Sequence, residues 1–392
     1  MAVTKVNLPH TVNSILVVCP RRIGDVFCAT PVVRSLKAAF AGTAIDMLVF
    51  EGTEGIIAEN PDLRSVLTIP ERPTWTQHVS FYQALWNRYD LAVSVQASDR
   101  STLYAWASSK TSVGIVPDKA NAWWKRKLLS GWVLLDNLGT HTVSMNLRPL
   151  ELLGVKPLAS PVLGWSGGDQ DIVKSFVPPT LAQKGYAVLH VSPKFVYKQW
   201  TVTGWVELAK WLERQALTVV LTAGDSDEDR ECLSSLLPHV SKDYVNLAGK
   251  LSLSSMSCLL NGATLYIGTD TAVTHMAAAL GTPTVALFGP SNPVKWGPWP
   301  QSFPAGNSSP WKMRGSQRQW NVFLLQGEGD CVPCLAEGCE RHIKSLSMCL
   351  QNLPAHRVIE AAQVLLTEQK QATESSGRPV IQSRIAGVQK TL

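Results

Sequence analysis

The chain has 392 residues, 45% hydrophobic and 17% charged, and a formal net charge of +6. That length predicts two domains with apolar material for two cores, and the moderate positive charge permits an anionic partner without selecting one. No apolar run reaches the ~18 residues of a membrane-spanning helix, and the opening MAVTKVNLPHTVN lacks a signal-peptide core, so a cytoplasmic location is expected.

The first predicted strand covers residues 14–19, SILVVC. The loop Pro20-Arg21-Arg22-Ile23-Gly24-Asp25 follows, then a helix over 26–39. Strands at 45–50, 65–69, 91–95 and 113–115 alternate with helices at 54–59 and 81–87. Alternation of this kind predicts an α/β fold with a mainly parallel sheet covered on both faces. From 119 to 132 the pattern gives way to KANAWWKRKLLSGW, and a helix over 141–153 ends at Gly154. Residues 155–183 are rich in Pro, Gly and Ser and read as an interdomain linker.

A second α/β series follows. Strands are expected at 187–191, 218–223 and 244–247, and helices at 202–214, 227–237 and 252–261. An apolar strand over 263–267 then runs into Gly268-Thr269-Asp270-Thr271, a helix over 272–280, and a strand over 284–288. Residues 291–330 read as irregular, 355–369 as a helix, and the tail from 371 as disordered. The two halves share an architecture, so two Rossmann-like domains facing a cleft are expected.

The turn at 268–271 lies at a strand's C-terminal end, where open α/β sheets bind ligands. The N–H groups and dipole of the next helix favour an anion there. Asp270 and Thr271 are candidate caps, and His275 shares a face with Thr271. Asp25 occupies the corresponding place in the first half, beside Arg21 and Arg22. It is a candidate general base, or else the cap of the next helix. Gly24 permits a tight turn or a close ligand approach. Lys198 is either a phosphate contact or a solvated loop lysine. Asp225 either accepts hydrogen bonds from a nucleoside or caps the helix after it.

Cys331, Cys334, Cys339 and Cys349 fall close together, with His342 among them. Such a set either closes a structural thiolate site for zinc or iron or is a group of reduced thiols. Cys19, Cys28, Cys232 and Cys258 sit in apolar contexts and are expected in cores. The Trp-rich basic stretch 119–132 either meets an anionic lipid surface or is a solvated helix with inward-packed Trp.

Four stretches together resemble glycosyltransferase family 9, the ADP-heptose:lipopolysaccharide heptosyltransferases. They are ILVVCPRRIGDVFCATPVVRSLK, SPK with KQW, YIGTDTAVTHMAAALGTPTVALFGP, and CVPC with its two further cysteines; the resemblance spans about residues 14–366. It implies a GT-B fold. Residues 1–165 would bind the acceptor, 166–183 would be a linker, and 184–353 would bind the nucleotide sugar. Residues 354–370 would form a closing helix, and 371–392 a disordered tail. It implies an inverting enzyme without a catalytic metal, moving heptose from ADP-heptose to the lipopolysaccharide inner core at the cytoplasmic face of the inner membrane.

By position, Asp25 matches the family's base and Lys198 its donor-phosphate lysine. Thr269, Asp270, Thr271 and His275 match its donor segment, with Asp225 a looser donor contact. Arg21, Arg22 and Gly24 would face the acceptor. The chain departs from the family at Ala272, where many members have Gly, and in its Pro20-Arg21-Arg22 start. Rival readings are the same fold with another nucleotide sugar, or with a protein or surface-glycan acceptor. More distant are a non-catalytic glycan-binding protein and a Rossmann oxidoreductase, against which neither first strand is followed by G-x-G-x-x-G.

Overall fold

The computed structural model describes residues 5–240 and 243–376. The chain forms two compact units. The first is built from the chain up to Gly164 together with Phe303–Ser309. Its six strands are β1 (Ser14–Val18), β2 (Ala44–Phe50), β3 (Ser65–Ile69), β4 (Leu91–Ser94), β5 (Ser112–Val116) and β6 (Gly131–Leu134). All are parallel, in the order β3-β2-β1-β4-β5-β6. Val17 lies opposite Met47 on one side and Val93 on the other, and all three are fully buried. Burial on both faces explains why these strands are continuous apolar runs. The order reverses between β1 and β4, which makes their C-terminal ends the switch point where ligands bind.

Proline cuts the helices more finely than periodicity suggests. Residues 26–39 are not one helix but the ends of two, α1 (Ile23–Phe27) and α2 (Thr30–Ala39). Pro31 has no N–H to donate to the Phe27 carbonyl; the Thr30 hydroxyl donates to it instead at 2.8 Å, and a new helix begins. The expected helix over 54–59 is a single 3-10 turn, Glu54–Ile56. Helix α3 (Trp75–Leu85) starts well before residue 81, because Thr74 and Gln77 form a reciprocal capping box. Helix α4 (Asp99–Ser108), capped by Ser98, has too weak an apolar stripe to be read from sequence. After α5 (Trp123–Leu128), Pro149 divides the stretch 141–153 into α6 (Thr142–Leu147) and α7 (Pro149–Leu152). Residues 303–309 return to this unit: Ser308 C=O accepts from His141 N–H at 2.7 Å, and Asn307 C=O from the Ser144 hydroxyl at 2.7 Å.

The second unit comprises Trp165–Ser302 and the chain from Pro310 onward. Residues 166–183, expected as a linker, carry α8 (Gly167–Phe176) and the start of α9 (Pro179–Lys184). The strands are β7 (Tyr186–His190), β8 (Thr218–Thr222), β9 (Val245–Asn246), β10 (Leu265–Thr269), β11 (Thr284–Phe288), β12 (Gln317–Gln319) and β13 (Val322–Gln326). Their order is β12-β13-β11-β10-β7-β8-β9, parallel except for the edge strand β12. Two of these strands, β12 and β13, lie in the stretch 291–330 that reads as irregular. Helices α10 (Val202–Arg214), α11 (Asp227–Leu236), α12 (Leu253–Asn261), α13 (Ala272–Ala279), α14 (Pro293–Trp296), α15 (Met348–Gln351) and α16 (Ala355–Ser376) complete the unit. Leu208 and Leu212 of α10 and Val358, Ala362 and Leu365 of α16 share one buried cluster with Leu189, Ile267 and Leu287 of the sheet. Helix α16 passes residue 370 as far as Ser376, and the rest of the tail expected to be disordered lies outside the described residues.

Asp169 explains why the expected linker is ordered. One carboxylate oxygen closes the α8 capping box with Ser166. The other accepts from Ser255 at 2.5 Å, Ser254 at 3.0 Å and Ser252 at 3.2 Å, at the start of α12. Burial pushes this carboxyl up, but the serine hydrogen bonds outweigh that and hold it well below the usual carboxylate range.

Candidate functional site

In the second unit, β10 ends at Thr269 and α13 begins at Ala272, so Asp270 and Thr271 form the turn between them. Thr271 caps α13, its hydroxyl accepting from Thr274 N–H at 3.4 Å. The Thr274 hydroxyl also bonds to Tyr266 Oη at 2.9 Å and donates to the Thr269 carbonyl. Gly268 makes this possible, since a Cβ there would lie 2.1 Å from Tyr266 Oη. Ala272, where the resemblance suggests glycine, is the first residue of α13.

Asp270 does not cap the helix. Lys198 Nζ stands 2.6 Å from its Oδ2 and donates to its backbone carbonyl at 3.2 Å. Lys198 is therefore tied to the turn, 72 residues away in sequence, rather than loose in solvent. Burial pushes the Asp270 carboxyl up; the charge of Lys198 and hydrogen bonds from Lys198 and Ser291 outweigh it and hold it below its ordinary value. His275 is 6% exposed, and burial pushes its pKa down to about 4 against the pull of Asp270. It is neutral at physiological pH, and its Nδ1 has no hydrogen-bond partner among the described residues. The buried Thr269 hydroxyl is unpartnered in the same sense. The two atoms flank the Asp270-Thr271 turn, one at the end of β10 and one in α13.

The Lys198-Gln199-Trp200 run is positioned from below. The Trp200 indole N–H donates to the Leu353 carbonyl at 2.8 Å, and its ring meets Trp205 edge-to-face at 4.9 Å. The Gln199 carbonyl accepts from Gln351 Nε2 at 2.9 Å. Trp200 is thus a core anchor that fixes the turn carrying Lys198.

In the first unit, Asp25 lies in the first turn of α1, just past β1. Arg22, not Asp25, is the residue at the cap position, and it contributes no side-chain cap. Asp25 is 7% exposed, with Arg21 Nε at 3.8 Å. Burial, then the charge of Asp25, push the neighbouring Cys19 thiol far up, so it stays protonated. Gly24 is an ordinary helical residue, and a Cβ there would meet nothing within 4 Å. Packing does not demand this glycine, and the space beside it is open.

Asp225 stands at the end of β8, two strands from β10. It is largely exposed and paired with Arg230 at 2.8 Å, while Ser226 caps α11. The structure therefore ties it to Arg230 and not to the Lys198–Asp270 pair. Cys331, Cys334 and Cys339 are exposed and Cys349 is buried. Burial first, then the neighbouring thiols of Cys334, Cys339 and Cys331, push the Cys349 thiol up to about 11. The donors are of the right kind, yet no group of three or more His, Cys, Asp or Glu among the described residues is arranged to hold a metal ion. His342 is paired with Glu340 at 2.9 Å. Cys19 and Cys28 are buried as expected; Cys232 and Cys258 are half-buried. Trp123 turns outward, 58% exposed, with Lys127 Nζ 4.9 Å from its ring centre.

Sequence reasoning passed over Ser291 and His190. Ser291 hydrogen-bonds to Asp270 from just past β11. His190 ends β7, shares a hydrogen bond with Thr222 at 3.0 Å, and is pushed down to about 4 by burial. A polar residue closing an apolar strand on the ligand-binding edge was the available signal.

A sequence model of glycosyltransferase family 9 (heptosyltransferase) matches residues 78–322. Lipopolysaccharide heptosyltransferase 3 of Escherichia coli (strain K12) is 28% identical over 298 residues, covering 72% of this chain and 86% of that protein. The glycosyltransferase family 9 structure from Veillonella parvula DSM 2008 superposes with a TM-score of 0.72 at 19% identity, over 91% of this chain and 98% of that one. The ADP-heptose lipopolysaccharide heptosyltransferase II structure of E. coli gives 0.69 at 20% identity, over 91% and 99%. These structural likenesses establish the fold.

Proposed function

The chain belongs to glycosyltransferase family 9, whose model spans more than half of it, and we propose that it transfers heptose from ADP-heptose to the lipopolysaccharide inner core with inversion. The observation that carries this reading is the Lys198–Asp270 pair at the N-terminus of α13. It sets a cation beside a helix N-terminus at the carboxyl end of a parallel sheet, which suits a diphosphate.

Inverting transfer requires an acceptor hydroxyl to attack the anomeric carbon as the C–O bond to ADP breaks. Asp25 takes the hydroxyl proton, with the Arg21 guanidinium 3.8 Å from its carboxylate. The departing diphosphate gains charge as the bond breaks. Lys198 and the α13 N–H groups meet that charge, so the chemistry asks for no catalytic metal. Neutral His275 offers hydrogen bonding without adding charge. Asp225 remains a nucleoside contact only if it leaves Arg230 for the donor. Arg22 and the open space beside Gly24 serve the acceptor.

Two further parts of the reading concern stability and place. Cys331, Cys334, Cys339 and Cys349 hold a structural zinc or iron, a donor set that leaves no open catalytic position. Exposed Trp123, with the Lys127 ammonium 4.9 Å from its ring centre, favours peripheral contact with an anionic membrane surface at the cytoplasmic face. No helix among the described residues is long and apolar enough to cross a membrane.

The test is ADP release with a panel of nucleotide sugars and truncated lipopolysaccharide acceptors. ADP-heptose is expected to be the productive donor. Asp25→Asn is expected to lose transfer while still binding ADP-heptose, and Lys198→Ala to weaken that binding about tenfold or more. Near-normal turnover in Asp25→Asn would remove the base assignment; release from another nucleotide sugar alone would change the donor.

A further inference from the structure

We infer that the segment 349–353 is a brace for the donor site, in which Gln351 is a positioning residue that sets the place of Lys198. The inference rests on reading the Lys198–Asp270 pair as the donor site, and it adds how the loops around that pair are held in register.

The anion site is assembled from separate loops. The turn between β10 and α13 supplies Asp270 and the helix N-terminus. The loop after β7 supplies Lys198, 2.6 Å from Asp270 Oδ2. The loop after β11 supplies Ser291, which hydrogen-bonds to the same carboxyl. Neither of these last two residues sits on a long element: Lys198 ends a 3-10 turn, Val196–Lys198, and Ser291 follows Gly289-Pro290. A cation on an unsupported loop would have to be ordered by each arriving donor, at a cost in affinity.

The segment 349–353 touches both loops. It closes the short helix α15 and is followed by Pro354, and a residue before proline is biased to extended backbone. Leu353 accordingly lies between α15 and α16, where its carbonyl accepts from the Trp200 indole at 2.8 Å. The Gln351 amide donates from Nε2 to the Gln199 carbonyl at 2.9 Å, on the residue next to Lys198. On the other side, Cys349 and Leu350 press against Gly289: a Cβ there would lie 2.8 Å from Leu350 Cγ and 3.1 Å from Cys349 Sγ. Cys349, Leu350 and Leu353 are buried, so the brace is rooted in the core. One short segment thus joins the Lys198 loop to the Ser291 loop, and both loops close on a single carboxylate. Gln351 is only half-buried, so its bond can be removed without opening that core.

Calorimetric titration of the full chain with ADP-heptose tests this. Gln351→Met keeps the length of the side chain and loses the donor. It is expected to weaken binding roughly fivefold with the melting temperature unchanged, and in transfer assays to raise the ADP-heptose KM at constant kcat. In a Lys198→Ala background the same change should alter affinity less than about twofold, because no cation remains to be positioned. Equal losses in the two backgrounds would overturn the role, since a general structural effect does not depend on Lys198. Gly289→Ala pushes on the brace from its other side. It should weaken binding in the wild type but add little to Ser291→Ala, and fully additive losses would overturn that arm. Lysine acetylation with acetic anhydride, followed by mass spectrometry, needs no ligand: Lys198 should label faster in Gln351→Met while the other lysines keep their rates. If the wild type binds no ADP-heptose, the donor reading fails, and the labelling decides the brace. Faster labelling of Lys198 in the variant upholds it; an unchanged rate overturns it.

Discussion

At the scale of the residue, the informative contrast is between Lys198 and the cysteines. A lysine in a loop is usually solvated, and nothing local in SPKFVYKQW says otherwise. Its fixed position becomes visible only when Asp270 arrives from 72 residues away. Asp25 was legible as a polar residue closing an apolar strand, but its place inside α1 rather than at the cap was not, because capping depends on backbone angles. The cysteines are the reverse case, since spacing alone marks them. Burial first, and the neighbouring thiols after it, raise the pKa of Cys349. A bound cation would lower it by stabilising thiolates. Protein purified under reducing conditions is therefore expected to carry about one zinc or iron ion per chain, lost together with thermal stability in Cys334→Ser. Elemental analysis and a melting curve measure this, and a metal-free, equally stable wild type removes the idea.

At the scale of the element, prolines and caps set boundaries that hydrophobic periodicity blurs. Pro31 and Pro149 each start a new helix where a single one was expected. The expected linker at 166–183 became helical because Asp169 found three serines on α12, a contact that Pro, Gly and Ser content could not foretell. Helix α10 carries a tighter constraint. A Cβ on Gly204 would lie 2.4 Å from the ring of Trp200, the residue beneath the Lys198 turn. Gly204→Ala is expected to destabilise the protein by about 1–3 kcal/mol, seen as a lower urea midpoint. It should also weaken ADP-heptose binding, because the displaced indole carries the turn with it. An unchanged midpoint with unchanged binding would show that Trp200 does not position Lys198.

At the scale of the whole molecule, the second unit buries two neutral histidines. His190 and His275 titrate near 4, well below the ordinary 6.5, because burial penalises the charged ring. The unfolded chain takes up protons at both as pH falls through 6.5, while the folded chain does not until about 4. Stability is therefore full above 6.5, declines from 6.5 to 4, and levels below that, by roughly 3 kcal/mol for each histidine. Asp169 and Asp270, held low, add a further loss below the ordinary carboxylate range. Urea midpoints across pH 4–7 should show this slope and a shallower one in His190→Gln; equal slopes would mean His190 contributes nothing.

The sequence by itself determined the succession of strands and helices, the two-domain α/β class and the Thr269–His275 turn. Each of these is encoded over a few consecutive residues, through apolar runs, caps and breakers. Tertiary structure alone decided that Lys198 meets Asp270, that Trp200 is its buried support, and that Phe303–Ser309 rejoin the first unit. It also decided that the loops after β4, β5 and β6 enclose one cavity. Those outcomes depend on strand order, and strand order is fixed by how whole faces bury against one another rather than by the preference of any short segment.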